Sequence, residues 1–91
     1  MSRARIQSCR LSPSTVQIDP YGPIEGDAVD TLRDALVDVL MRQRPARVVV
    51  DASDATYLDP VALGSLAAAS DTATDLGITL DIIGAWPSTG E

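Results

Sequence analysis

Residues 46–66, ARVVVDASDATYLDPVALGSL, decide how this chain folds. ARVVVDA (46–52) is a short apolar run with β-branched residues, the pattern of a central strand buried on both faces. It reaches Asp51, and a loop, ASDATYLD (52–59), follows. Asp59 and Pro60 then open a helix. An Asp carboxylate there accepts from the free N–H groups of the first turn. Proline at the first helical position loses no hydrogen bond, and its φ is already helical. The helix should run from Pro60 to Leu76, burying Ala62, Leu66, Ala69, Ala73 and Leu76, with Gly77 as its stop. The small alanines permit close approach to a sheet. Val61 lies off that stripe and shares an adjoining, weakly polar face with Ser65, Ala68 and Thr72. Spacing alone leaves two readings of that face, a partner contact or a bland solvent surface.

Upstream, ARIQSCR (4–10) and TVQI (15–18) read as strands joined by a turn at LSPS (11–14). PYGP (20–23) should end the second strand, because its prolines offer no ladder donor. Gly26 and Asp27 open a helix with Asp27 the expected N-cap. Val29, Leu32, Leu36, Val39 and Leu40 form its apolar stripe, and Asp30, Asp34 and Asp38 line the other side. Asp38 and Arg42 stand at i,i+4, and Pro45 stops the helix. Downstream, ITLDIIG (78–84) is the last strand and AWPSTGE (85–91) reads as a tail. The order β-β-α-β-α-β predicts a single α/β domain spanning 1–91, with its core at about 5–84. Its mixed sheet should have four strands, with both helices mainly on one face.

Composition excludes several functions. The chain carries 13 acidic and 7 basic residues, a formal charge of −6 that disfavours nucleic-acid binding. Its basic residues are all Arg; Arg3, Arg5 and Arg10 decorate the N-terminal segment. The absence of His rules out a Ser-His-Asp triad and a His-ligated metal. No glycine-rich phosphate loop is present, so no cofactor is expected. A lone Cys9 forms no internal disulfide, and neither a signal-peptide pattern nor a run of roughly 18 apolar residues occurs. Together these point to a cytoplasmic protein without membrane insertion.

The stretch VVVDASDATYLDPVALGSL (48–66) resembles the signature of STAS domains, the anti-sigma-factor antagonists. That family places D-S-S-G-L-G-x-L at a helix start after a strand ending in Asp. Asp59, Leu63, Gly64 and Leu66 match in place, and GPIE (22–25) is similar to the family's G-x-hydrophobic-acid segment, with Glu25 in the acidic position. The resemblance covers roughly residues 5–84. It implies a protein-interaction module whose partner is an anti-sigma kinase with an ATPase-type fold, met at Glu25, Asp59, Val61 and Ser65. In switchable members the second Ser of D-S-S-G is phosphorylated. Here that position is Val61, the first Ser is Pro60 and the Gly is Ala62. No phosphate can form at Val61, which leaves Ser65 and Thr56 as the nearest substitute acceptors.

The resemblance also implies a shortened C-terminal part, since family members continue with a further helix. A homodimer, a partner subunit or Trp86 folding back would then cover the last strand. A second interaction reading is a scaffold or subunit of a stress-signalling or transport ATPase complex, which loss of the Ser favours. The remote enzyme reading is Mg-dependent phosphoryl transfer by Asp51, Asp54 and Asp59, oxygen ligands of the kind Mg²⁺ prefers. DASD (51–54) has the wrong spacing for a D-x-D site, and no Lys is present to meet phosphate charge.

Overall fold

The computed structural model describes residues 4–84. Trp86 and the rest of the expected tail lie outside the described residues. The strands are β1 (Arg5–Ser12), β2 (Thr15–Ile24), β3 (Arg47–Asp51), β4 (Ala55–Leu58) and β5 (Thr79–Ile83); the helices are α1 (Asp27–Val37), which continues as a π-helical segment (Asp38–Gln43), and α2 (Pro60–Leu76). The main sheet path is β1-β2-β3-β5. β1 and β2 form the antiparallel hairpin, while β2, β3 and β5 run parallel, as strand–helix–strand connections require.

Several expectations need correction, beginning with the strand count: the sheet has five strands, not four. The segment 52–59 is more than a loop: its residues 55–58 form β4, which pairs in parallel with the end of β2. PYGP does not end β2, which continues to Ile24. The register explains both outcomes. β3 pairs with β2 up to Ile18↔Val50, and β4 takes over the same strand at Gly22↔Ala55. Pro20 falls between the two partners, where no ladder donor is needed, and a register shift precedes Pro23. Finally, β3 is buried on one face only. Val48 and Val50 are fully buried, but Val49 is half-open, because both helices cover the opposite face. Val49 shares a cross-sheet row with Gln17 and Asp81.

The core lies between sheet and helices. Val16, Ile18, Ile24, Val48 and Val50 meet Val29, Leu32, Leu36, Val39 and Leu40 from the first helical element and Ala62, Leu66, Ala69 and Ala73 from α2. Each large aliphatic side chain buried this way contributes about 1.5–3 kcal/mol. The N-cap position of the first helix is Gly26, not Asp27, and no side chain caps it. Asp27 is already its first helical residue. Arg44 ends the π-helical segment with φ 48°, its N–H donating to the Val39 carbonyl at 2.8 Å. The expected Asp38–Arg42 pair forms at 3.8 Å. Gly77 ends α2 at φ 75°, and the Ile78 N–H closes the turn on the Ala73 carbonyl at 2.8 Å. Among the described residues, no helix is long and apolar enough to cross a membrane.

Candidate functional site

The start of α2 is assembled from three neighbouring elements. The Asp59 side chain accepts from the Val61 N–H at 2.8 Å, while Pro60 occupies the first turn. The cap is therefore built by side chain and backbone together, as the sequence predicts. The Asp59 N–H donates in turn to the Ile24 carbonyl at 3.0 Å. That bond ties the tip of α2 to the end of β2, so Glu25 follows directly on the residue that anchors Asp59. Glu25 is exposed, and its carbonyl accepts from the Ala28 N–H at 3.1 Å in the entry to α1.

Val61 stands at this tip with 65% of its surface open. Gly64 lies one turn further along α2. A Cβ added there would meet nothing within 4 Å, and the residue needs no positive φ. Glycine inside a helix costs about 0.5–1 kcal/mol relative to Ala. No packing inside the domain repays that cost at Gly64. The tip thus carries an open aliphatic side chain beside a residue that leaves the backbone bare.

Ser65 is half-buried and faces away from the very tip into a trough between the two helices. Thr56 is exposed on β4. Its neighbour Tyr57, 49% exposed and paired with Pro23, was not picked out by the sequence reading. Nor were Val37 and Met41, which are 52% and 48% exposed. In the sequence these two are apolar residues at i,i+4 that the buried stripe does not use, a pattern that alone does not mark a surface.

The three carboxylates of the enzyme reading have separate surroundings. The Ser53 hydroxyl and N–H hold the Asp51 carboxyl below its ordinary range, with the N–H bond at 3.0 Å. Asp54 is exposed, and its carbonyl accepts from the Gly22 N–H at 3.0 Å. Asp59 is engaged as the cap. Among the described residues, no group of three or more His, Cys, Asp or Glu side chains is close enough to hold a metal ion.

Several solved structures share this fold. The unphosphorylated form of the anti-sigma factor antagonist SpoIIAA matches with a TM-score of 0.79 at 13% identity, covering 91% of this chain and 76% of that one. The phosphorylated form of SpoIIAA, described as a Bacillus cell fate determinant, matches with a TM-score of 0.80 at 13% identity over 91% and 75%. An antisigma-factor antagonist STAS domain from Rhodobacter sphaeroides gives 0.65 at 18% identity over 89% and 86%. At these identities the likeness speaks to the fold. Among curated proteins, none matches the sequence significantly. The family described as "Mlab, STAS domain" matches residues 8–89, nearly the whole chain. With that match, and with the sheet order and capped helix start described above, the chain belongs to the STAS domain family.

Proposed function

We propose that this STAS domain is a non-catalytic protein-interaction module of the anti-sigma-factor-antagonist type, working in the cytoplasm. Its partner would be an anti-sigma kinase or a related ATPase-type regulator. The contact is the start of α2, with Glu25, Asp59, Val61 and Ser65. The observation that carries this reading is Val61, an aliphatic side chain 65% exposed at a helix start that its own side-chain cap holds rigid. Bare backbone at Gly64 supports it, because a partner can approach there more closely than over any other residue type.

Val61 occupies the place of the phosphorylated Ser of switchable relatives. SpoIIAA has been solved in both phosphorylated and unphosphorylated forms. Valine has no hydroxyl, so no dianion arises at this tip to repel a partner. The contact is accordingly always competent. If a kinase does act on this domain, the nearest hydroxyls are Thr56, which is exposed, and Ser65, which is half-buried. The missing hydroxyl also favours a second reading, a permanent scaffold or subunit role in a stress-signalling or transport ATPase complex.

Affinity capture from the source cell's lysate, followed by mass spectrometry, tests the proposal, with Val61→Glu as control. An anti-sigma kinase bound by wild type and lost by the variant supports the first reading. Subunits of a scaffold or transport ATPase bound in the same Val61-dependent way support the second. Equal capture by both proteins removes the tip of α2 as the contact.

A further inference from the structure

A second surface lies beside the tip. α1 with its π-helical continuation and α2 diverge on their outer side, leaving a trough of about 400 Å³. Leu36, Val37, Leu40 and Met41 form one wall and Ala68 and Ala69 the other. Val37 and Met41 are about half exposed, so the trough is open apolar surface and not an internal void. Along this wall it runs from Arg33 through α1 into the π-helical continuation at Met41, on the order of 10 Å, since only the α-helical part rises about 1.5 Å per residue. Two helical turns of an incoming helix would fill it, by side chains at i, i+3, i+4 and i+7.

The rims define the charge of that helix. By α-helical spacing, Asp34 precedes Val37 by three residues on one rim, and Asp71 and Asp75 follow Ala68 and Thr72 by three on the other; Asp38, in the π-helical segment, is held instead by Arg42 and Gln43. The cation lining the trough, Arg33, is drawn to acids on its own helix, at 3.4 Å from Asp30 and 3.8 Å from Asp34. α2 carries Asp71 and Asp75 and no basic residue. A second copy of this chain would bring the same acidic rims and be repelled. An anionic lipid surface would be repelled for the same reason.

We propose that the trough between α1 and α2 is a docking groove for a basic amphipathic helix of a protein partner. The apolar stripe enters between Val37, Met41 and Ala68, and flanking Lys or Arg residues meet the aspartates on both rims. The groove adjoins the tip of α2 through Ser65 but does not depend on the role proposed for Val61.

The probe is a fluorescent leucine–lysine peptide with leucines at i, i+3, i+4 and i+7, followed by anisotropy and by NMR of the Val37 and Met41 methyl groups. Binding is expected with a Kd on the order of 10 μM, weakening as salt rises. A peptide of scrambled order should bind about tenfold more weakly, and a leucine–glutamate peptide not at all. Ala68→Gln fills the trough without changing charge and should weaken binding about tenfold. Asp34→Asn with Asp75→Asn should weaken it and flatten its salt dependence. Thermal melts of these exposed-site variants verify that the fold is kept. Peptide binding is read on the purified domain and the tip by Val61-dependent lysate capture, so a failure here and a failure of the tip are told apart. Equal binding of the scrambled peptide, or no effect of Ala68→Gln, overturns the groove. So does a homodimer, seen by sedimentation, that Ala68→Gln disperses, since the occupant would then be a second copy.

Discussion

The two helices solve the same packing problem with different side chains. α1 and its continuation bury five large aliphatic residues, Val29, Leu32, Leu36, Val39 and Leu40, and set Asp30, Arg33 and Asp34 outside. α2 buries one leucine and three alanines, and its outer side is small and apolar at Val61, Gly64, Ala67 and Ala68 before it turns polar at Asp71, Thr74 and Asp75. Their ends differ as well. α1 starts at Gly26 without a side-chain cap and stops at Arg44 in a left-handed conformation that suits glycine. α2 starts on the Asp59 side chain and stops on Gly77. The first element holds the domain together but is loosely finished. The second is closed at both ends yet contributes less apolar bulk to the core and leaves Val61 and Gly64 open. That division fits a helix kept rigid to be touched.

The largest effects should come from Leu32 and Leu66, a fully buried leucine from each helix. Leu32→Ala and Leu66→Ala each remove a fully buried side chain and should cost about 2–5 kcal/mol in urea unfolding. Ala73→Leu distinguishes the helices further. It overpacks the close approach of α2 and should cost about 1–3 kcal/mol. If Ala73→Leu is neutral while both leucine variants are costly, the alanines of α2 do not set its distance from its neighbours.

The ends come next in size. Gly77→Ala places a Cβ at φ 75° and should cost about 1–2 kcal/mol. Arg44→Gly relieves the same strain at φ 48° and should gain about 1 kcal/mol or less, part being returned to the unfolded chain's entropy. Removing the caps sharpens the contrast at the other end. Asp59→Ala should cost about 1 kcal/mol, whereas Asp27→Ala removes only a charge near a helix start and should cost about 0.3–1 kcal/mol. Equal costs for the two would mean that the bond from Val61 to Asp59 adds nothing beyond charge.

The parts of this architecture that rest on local chemistry were legible before any coordinates. Asp59–Pro60 and Gly77 announce α2, and the stripes on both helices follow from spacing. β4 was not legible, because ATYL becomes a strand only where the end of β2 has lost its β3 partner and offers a free edge. That is a register fact, several residues removed in sequence. The cap of α1 misled for a related reason: Asp27 has the right chemistry, but the chain turns one residue earlier, at Gly26 with φ 57°. At the candidate site, Val61 stood out by its place in a motif. Val37, Met41 and Tyr57 did not, since an apolar residue off a stripe gains meaning only when a neighbouring element opens beside it.

The smallest change in stability should carry the most functional information. Val61→Glu adds an acid to the first turn of α2, which has none, and the helix dipole favours negative charge there. The side chain it replaces is mostly exposed, so folding should change by no more than about 0.5 kcal/mol. Gly64→Ala goes further: with open space around the new Cβ, it should raise stability by about 0.5–1 kcal/mol. If the tip meets a partner through bare backbone, the same substitution should weaken capture. A protein that becomes more stable and binds less would tie the glycine to contact, because no defect of folding could produce that pair of results. If Gly64→Ala stabilises and binds as wild type does, the partner does not approach over Gly64, and Val61 alone would have to carry the contact.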